Sequence, residues 1–305
     1  MHHIAILDVD VPVPTVYAAR GLYSSIFKRL LLEAASRLNI PATSIHFTAF
    51  DVVGGCLPPL ASLRKSPRPT ANGVAAEENP LAAPIDAILI TGAAAAAYEA
   101  AKYPWIIPVQ SFIHTVFEEY PHVKLYGSCW GHQLLAQALL SAASLTQKQT
   151  SNPPTVAVEA CPQGREMGLE SIALTQEFMS HFPLLETALR AKGEMRLQMI
   201  HGDWVSLLPG VKELPKPWVN VGSTRLCPIQ GLYYPGRVLT LQGHFEFDTF
   251  VNNETCKEFA KRSGWKDEDV EEWLELIGRG RVEGVVEDQD DARAAAEVVL
   301  LFFLQ

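Results

Sequence analysis

Short β-rich segments alternate with longer helical patterns from the first residues of this 305-residue chain, and this alternation most limits its possible folds. Four apolar runs of strand length lie at 4–7, 45–50, 85–90 and 123–126. Between them, residues 21–38 and 105–119 have apolar residues at helical spacing. Strands that alternate with helices form parallel sheets covered on both faces. The sequence therefore predicts an α/β fold with a mostly parallel central sheet and helices on both faces.

Beyond residue 150 the pattern changes, and short strands become more frequent than helices. The predicted strands are at 155–158, 171–174, 195–200, 218–221 and 238–241. Helices resume near Phe247, with an amphipathic pattern over 270–277 and Gly278 beyond it as a cap. The apolar run at 293–304 predicts a final buried helix.

Two segments interrupt this pattern. Residues 54–84 are rich in Pro, Gly and Ser and predict an unusually long loop. The alanine run 93–97 follows a strand end, where it predicts either a helix start or a loop-to-helix turn. We expect one domain over 1–250, with 251–305 as a helical extension packed on the same domain.

Charge and hydropathy exclude two classes of protein. The chain carries 25 Lys and Arg against 34 Asp and Glu, a net charge of −9, so we expect no nucleic-acid partner. A membrane-spanning helix needs about 18 consecutive apolar residues or more. The sequence has no such run, so we expect no membrane insertion.

Cysteine and acidic residues point to a protein without disulfides or metal. The five cysteines are odd in number and lack CxxC spacing, which favours a reducing compartment. Residues 1–4 show no basic stretch followed by an apolar one, so we expect a cytoplasmic protein. Glu287, Asp288, Asp290 and Asp291 lack the glycine and spacing of a calcium loop. The sequence therefore predicts no metal and no cofactor.

The segment 126–133, Tyr-Gly-Ser-Cys-Trp-Gly-His-Gln, joins a predicted strand to a strong helix pattern. Gly-x-Cys-x-Gly at such a junction is the cysteine form of a nucleophile elbow. Gly127 and Gly131 permit the tight turn, and the N-terminus of the following helix favours the thiolate of Cys129. The alternative is a buried cysteine in an ordinary turn, but the flanking strand and helix favour a nucleophile.

A cysteine nucleophile needs a base and a group that orients the base. The segment 239–246, Leu-Thr-Leu-Gln-Gly-His-Phe-Glu, lies at another predicted strand end. Residues i and i+2 of an extended chain point the same way, so His244 and Glu246 are expected to project together. Cys129, His244 and Glu246 are the predicted catalytic residues.

These two motifs together resemble the class I glutamine amidotransferase-like family. Ile-Thr-Gly at 90–92 resembles its oxyanion loop, and Ile-His-Gly-Asp-Trp-Val at 200–205 resembles the segment that holds the substrate's amino-acid end. The segment 168–175 is similar to the single-domain branch, which includes relatives of the GMP synthase glutaminase domain and the γ-glutamyl peptidases. The resemblance covers roughly residues 4–250 and implies a flavodoxin-like α/β fold.

By this resemblance, Cys129 attacks the γ-amide carbon of a small-molecule γ-glutamyl amide and forms a thioester that water then hydrolyses. His244 is the base, and Glu246 orients it. The resemblance assigns the oxyanion-binding N–H groups to Gly92, Ala93 and Trp130. It assigns binding of the substrate's α-amino and α-carboxyl groups to Gln133, His201, Gly202, Asp203 and Trp204.

The chain departs from the family pattern at three places. Phe245 stands where the family usually has Pro, which an extended turn tolerates. Leu-Ser-Ala at 140–142 replaces a frequent glycine pair, and the loop after Gly92 is rich in alanine. These alanines predict an apolar pocket mouth, and we expect Trp130 and Phe245 to add aromatic surface there for a leaving group larger than ammonia.

Three functions remain open at this point. The first is a stand-alone hydrolase similar to the γ-glutamyl peptidases. The second is a glutaminase subunit that feeds ammonia to a separate synthetase partner, because 305 residues leave no room for a synthetase domain. The third is a non-catalytic or recruited biosynthetic protein on the same fold. The complete Cys-His-Glu set favours an enzyme, and we expect the first function.

Overall fold

A seven-stranded sheet forms the centre of the computed structural model, which describes residues 1–68, 82–141, 153–281 and 288–305. Its strand order is β2-β1-β3-β4-β12-β11-β9. The strands are β1 (His2–Asp8), β2 (Ile45–Asp51), β3 (Ala87–Ile90), β4 (Lys124–Ser128), β9 (Val219–Asn220), β11 (Leu232–Tyr234) and β12 (Val238–Leu241). The pairs from β2 to β12 are parallel, whereas β11 runs antiparallel to both of its neighbours.

Two smaller sheets lie beside the central one. The first has the order β10-β6-β7, and the second pairs β5 with β8. Their strands are β5 (Val156–Ala160), β6 (Glu166–Leu174), β7 (Glu194–His201), β8 (Asp203–Leu207) and β10 (Gly222–Ser223). All of these pairings are antiparallel.

Nine α-helices are present in the described residues. They are α1 (Pro14–Arg20), α2 (Tyr23–Arg37), α3 (Ile106–Glu119), α4 (Trp130–Leu140), α5 (Gln176–His181), α6 (Leu185–Ala188), α7 (Thr249–Ser263), α8 (Asp267–Gly278) and α9 (Ala292–Leu304). Among the described residues, none of these helices is long and apolar enough to cross a membrane.

Strand β1 shows how the core is divided. Ile4 and Ile6 pack in a cluster with α2 and α9, while Ala5 and Leu7 pack in a second cluster with α3 and α4. Alternate residues of a strand face opposite sides of a sheet. A strand buried on both sides therefore reads as a continuous apolar run, which is the pattern at 4–7. The predicted α/β fold with helices on both faces is confirmed.

Several details differ from the sequence predictions. The helix expected over 21–38 is preceded by a separate helix, α1, which begins at Pro14. The run 93–97 contains no helix, and the N–H of Ala94 instead donates to Asp10 Oδ2 at 2.8 Å. Strands β8 and β11 were not predicted, because β8 is partly polar and β11 has only three residues.

The C-terminal helices pack against the sheets. A Cβ on Gly168 in β6, where φ is +86°, would lie 2.5 Å from Leu276 Cβ of α8. Lys124 Nζ at the start of β4 donates to the carbonyls of Phe302 and Gln305, at 2.7 and 3.0 Å. The boundary at residue 250 stays a prediction. The expected loop 54–84 lies partly outside the described residues, since 69–81 are not described.

Candidate active site

Cys129 lies between β4 and α4 in a strained backbone conformation. Its φ is +48° and its ψ is −102°, and Asn39 is the only other non-glycine residue with positive φ among those described. Such conformations cost about 1–3 kcal/mol and persist only where surrounding contacts impose them. Here the Cys129 N–H donates to Leu241 O at 2.8 Å, and its carbonyl accepts from the Gln133 N–H at 3.1 Å.

The glycines on either side of Cys129 are required by close approach. A Cβ on Gly127 would lie 2.4 Å from the backbone of Gly131, and one on Gly131 would lie 2.6 Å from Ile90 O. Neither glycine has a positive φ. The strain of the turn is therefore at the cysteine itself, and the glycines make room for the turn against β3.

His244 and Glu246 follow the end of β12 and are directed at each other. His244 Nδ1 lies 2.8 Å from Glu246 Oε1, and the same oxygen accepts from Ser128 Oγ at 2.8 Å. The His244 N–H donates to Gln198 O at 2.9 Å, which fixes the backbone of the histidine on β7. The imidazole also stacks on Phe247, with ring centroids 4.1 Å apart. The predicted pairing of the histidine and the carboxylate is thus present in the structure.

The charges around His244 favour its protonated form. Burial lowers the pKa of His244, but the negative charges of Glu246 and of the Cys129 sulfur outweigh burial and raise it to about 10. All three side chains are nearly inaccessible, with Cys129 7%, His244 3% and Glu246 3% exposed. In such surroundings little water screens these charges, so they act strongly on one another.

The loop that begins at Gly92 lies against both Cys129 and His244. A Cβ on Gly92 would be 3.4 Å from His244 Cε1 and 3.6 Å from Cys129 Cβ. The N–H groups of Gly92 and Ala93 donate to none of the described residues, whereas that of Ala94 is bound to Asp10. Trp130 is the first residue of α4, so its N–H has no acceptor within the helix. These N–H groups can serve a developing negative oxygen.

Three of the predicted substrate-binding residues, Gln133, His201 and Asp203, are joined by hydrogen bonds. Gln133 and Asp203 meet beside Cys129, since Gln133 Nε2 donates to Asp203 O at 3.2 Å. His201 Nε2 lies 2.9 Å from the buried Glu166 Oε2, and its Nδ1 lies 2.9 Å from Asp203 O. Trp204 is half-buried. The role of His201 in substrate binding stays a prediction, and its ring nitrogens already contact the protein.

Gly202 is a close-packing position in the turn after β7. A Cβ there would lie 2.7 Å from Arg165 Nη1. Its carbonyl accepts from the Cys161 N–H at 2.8 Å. These contacts hold the turn that carries Asp203.

The expectation of aromatic surface from Trp130 and Phe245 is wrong. Trp130 is fully buried and packs on Trp105, with ring centroids 5.1 Å apart. Phe245 is 2% exposed and meets the edge of Phe27 at 5.3 Å. Phe245 points into the core because, in an extended segment, the residue next to one that faces the site faces away from it. Trp130 is the first residue of α4, and its ring packs in the second core cluster. The aromatic ring at the surface of the Gly92 loop is that of Tyr98, which is 40% exposed.

The acidic residues near the C-terminus are bound to backbone groups. Asp291 accepts from the N–H groups of Arg190 and Arg196, at 2.9 and 2.8 Å. Asp288 accepts from the N–H and hydroxyl of Thr249, at 2.6 and 2.7 Å. Glu287 lies outside the described residues. Within the described ranges, no three His, Cys, Asp or Glu side chains are grouped as a metal site requires.

Three contacts of the site were not predicted from the sequence. Ser128 holds Glu246, and Gln242 Nε2 donates to Cys129 Sγ at 3.3 Å. Tyr98 donates from its hydroxyl to Asp203 Oδ1 at 2.9 Å. Ser128 and Gln242 lie inside the two motifs, so their positions in the sequence could have indicated that they contact the catalytic residues. The sequence contains no comparable signal for Tyr98, because its partner is 105 residues away.

Curated proteins from two yeasts are similar to this chain in sequence. No family model matches the chain. A Schizosaccharomyces pombe protein named glutamine amidotransferase-like is 28% identical over 273 residues, which is 90% of each chain. A Saccharomyces cerevisiae protein named as a glutamine amidotransferase is 27% identical over 224 residues, 72% of this chain and 70% of that protein.

The fold agrees with these sequence relatives. A glutamine amidotransferase from Thermotoga maritima superposes with a TM-score of 0.58 at 17% identity, covering 99% of this chain and 96% of the other. The fold is that of the class I glutamine amidotransferases. In sequence, the chain is similar to curated proteins named as glutamine amidotransferases or glutamine amidotransferase-like proteins.

Proposed function

We propose that this protein is a cysteine hydrolase of γ-glutamyl amides that acts through a thioester on Cys129. The observation that carries the proposal is the meeting of three elements at one point. Cys129 stands on the strained turn after β4, the His244–Glu246 pair follows β12, and Gly92 after β3 lies against both. Packing alone gives no reason for a strained cysteine beside a charged histidine.

The proposed reaction has two halves, formation of a thioester on Cys129 and its hydrolysis by water. The Cys129 thiolate attacks the γ-amide carbon, and the carbonyl oxygen becomes negative against the N–H groups of Gly92, Ala93 and Trp130. Collapse breaks the C–N bond, and the protonated His244 gives its proton to the leaving amine. His244 then takes a proton from water, whose oxygen attacks the thioester and releases glutamate and the thiolate. Glu246 orients His244 and is not itself protonated.

We infer that the leaving group is larger than ammonia, as in a γ-glutamyl peptidase. Ala94 and Tyr98 offer exposed apolar surface on the Gly92 loop. Because Trp130 and Phe245 are in the core, this surface is smaller than the sequence suggested. A second candidate is a glutaminase that feeds a synthetase partner, and the names of the sequence relatives favour it.

We propose that the substrate is a free small molecule and that the protein acts in the cytoplasm. All five cysteines are free, which suits a reducing compartment.

The decisive experiment is a substrate panel read by glutamate release. It compares glutamine, glutathione, glutathione S-conjugates and γ-glutamyl dipeptides, with Cys129→Ala as the blank. We expect turnover of at least one conjugate and a mass increase of a glutamyl group on Cys129 in enzyme quenched during turnover. Turnover of glutamine alone would favour the glutaminase. Undiminished activity in Cys129→Ala would refute the proposed nucleophile.

Alkylation identifies the reactive cysteine independently of substrate. Burial raises the pKa of Cys227 to about 12 and of Cys256 to about 11, so both thiols should be inert. Cys56 is exposed and serves as the internal comparison. We expect iodoacetamide to label Cys129 faster than Cys56 near neutral pH and to abolish turnover. Preferential labelling of Cys56 or Cys161 with activity retained would contradict the assignment.

A further inference from the structure

Four residues form a continuous hydrogen-bonded chain that ends at the Cys129 sulfur. Gln133 Nε2 donates to Asp203 O at 3.2 Å and to Gln242 Oε1 at 3.1 Å. Gln242 Nε2 in turn donates to Cys129 Sγ at 3.3 Å. Gln242 is completely buried, and its N–H donates to Gln230 O at 2.8 Å, so its position is fixed and water does not compete for its amide.

The backbone carbonyl of Asp203 sets the direction of every bond in this chain. A carbonyl oxygen only accepts, so the end of the Gln133 amide that faces it must be the NH₂ group. That NH₂ group gives its second proton to Gln242, which must therefore present its oxygen to Gln133. The NH₂ group of Gln242 is then turned towards Cys129, and the sulfur is placed as an acceptor.

We propose that Gln242 is a positioning residue that holds the Cys129 sulfur and favours its thiolate, with its amide oriented by Gln133 and the Asp203 carbonyl. The inference rests on the proposed function, in which Cys129 is the nucleophile. A thiolate accepts a hydrogen bond more strongly than a thiol does, so a donor fixed on the sulfur stabilises the ionised form.

Four other ionisable groups of the described residues act on Cys129 or on its partner His244. His244 and Glu246 lie beyond β12, Tyr23 lies on α2 and Tyr126 on β4. The negative charges of Asp8 and Asp10 also raise the pKa of Tyr23. Burial raises the pKa of both tyrosines, so they stay neutral at ordinary pH. His244 and Glu246 are present in every variant, so a difference between variants comes from the substitution at Gln242.

The same chain limits how Gln133 can touch a substrate. Both protons of its NH₂ group are used, and its Oε1 accepts from none of the described residues. Only an acceptor remains, so Gln133 suits the α-ammonium group of a γ-glutamyl unit and not its carboxylate. Binding at that oxygen leaves the chain to Cys129 intact.

The test measures the alkylation rate of Cys129 against pH, by mass spectrometry of its peptide, with iodoacetamide as the probe. The variants are Gln242→Met, which removes the donor at similar size, and Gln242→Glu, which puts a carboxylate beside the sulfur. Gln137→Met is the matched control, since Gln137 is a buried glutamine one turn beyond Gln133 in α4. Thermal unfolding and circular dichroism verify that each variant folds.

We expect Gln242→Met to move the midpoint of the alkylation profile up by about one to two pH units, the size of a hydrogen bond to a charged group. Gln242→Glu should move it further. Gln133→Met should move it less, because it only frees the Gln242 amide to turn. Gln137→Met should leave it in place. If Gln242→Met does not fold, Gln242→Asn carries the same expectation, because its amide is withdrawn by one methylene.

An unchanged midpoint in a folded Gln242→Met protein would overturn this inference. If Cys129 were still required for turnover, the proposed function would stand. If Cys129→Ala retained activity, the proposed function itself would fail, whatever Gln242 does to the thiol.

Discussion

The three proposed catalytic side chains and the mouth of the site are built in opposite ways. Cys129, His244 and Glu246 are almost completely buried. The backbone N–H groups of Cys129 and His244 donate to β12 and β7, and Ser128 Oγ donates to Glu246. At the mouth, Tyr98 is 40% exposed and is bound to Asp203 by one side-chain hydrogen bond at 2.9 Å. Changes to the first region should therefore alter the chemistry, and changes to the second should alter only substrate binding and substrate choice.

The strongest way to break the buried region is Gly131→Ala. The added Cβ would lie 2.6 Å from Ile90 O, a backbone atom of β3 that cannot turn aside. The strand must shift, and with it the Gly92 loop. We expect a loss of about 1–3 kcal/mol in stability and at least about a hundredfold loss of kcat/KM.

Gly278→Ala is the control for this change. Gly278 is the last residue of α8, and a Cβ there would meet nothing within 4 Å. This variant should be as stable as the wild type or gain up to about 1 kcal/mol, as for alanine in a helix. Urea unfolding and kcat/KM measure both variants. A Gly131→Ala protein as active as Gly278→Ala would contradict the tight packing of the turn.

Glu246→Gln tests the charge within the buried region. Burial lowers the pKa of His244, and it is the negative charge of Glu246, with that of Cys129, that raises it to about 10. Without that charge the imidazolium should lose its proton at lower pH, so the alkaline limb of the kcat/KM profile should move down. We expect kcat/KM to fall by roughly 10²–10⁴-fold near neutral pH, with some thioester still trapped.

The comparison for this variant is Cys129→Ala and His244→Ala. Both should form no thioester at all, as judged by mass spectrometry of quenched enzyme. Complete loss in all three variants would not support a merely orienting role for Glu246. An alkaline limb that stayed in place in Glu246→Gln would show that another group controls it.

The difference between the two regions also explains what could be predicted from the sequence. Cys129, His244 and Glu246 lie in short motifs at strand ends, where local rules fix which way a side chain points. Apolar runs and helical spacing likewise predicted the parallel strands and their helices. The contact of Tyr98 with Asp203 could not be predicted, because it joins the Gly92 loop to the start of β8, which meet only in the folded chain.

The directions of Trp130 and Phe245 were predicted wrongly for a related reason. Their positions next to catalytic residues suggested a shared surface. In an extended segment, the neighbour of a side chain that faces the site faces away from it, and successive side chains of a helix point about 100° apart. Phe245 accordingly meets Phe27 in the core, and Trp130 meets Trp105.

Ser128→Ala is a milder change in the buried region. Ser128 Oγ donates to Glu246 Oε1 at 2.8 Å, the oxygen that also faces His244. Removing one hydrogen bond to a charged group costs about 1.5–3 kcal/mol in a buried site. Because His244 Nδ1 still faces the carboxylate, we expect only part of this to reach catalysis, about a tenfold lower kcat with KM unchanged. A changed KM with constant kcat would place Ser128 in substrate binding.

The smallest expected effect lies at the mouth, in Tyr98. An apolar leaving group that buries about 100 Å² would gain on the order of 2.5 kcal/mol, but only as an upper limit. With Trp130 and Phe245 in the core, Tyr98 supplies the aromatic part of that surface. We therefore expect about a tenfold preference in kcat/KM for a γ-glutamyl S-conjugate over glutamine, well below that limit.

Two variants separate the ring of Tyr98 from its hydroxyl. Tyr98→Phe keeps the ring but loses the bond to Asp203 Oδ1, so KM should rise about two- to fivefold for both substrates, because an exposed hydrogen bond contributes little. Tyr98→Ala also loses the ring, so the preference for the conjugate should fall towards one. Stability should change by less than about 0.5 kcal/mol in the Phe variant, since the site is at the surface. If Tyr98→Ala kept the full preference, the leaving group would have to contact another surface. If glutamine were the better substrate of the wild type, the peptidase function would give way to the glutaminase, and Tyr98 would then act only through Asp203.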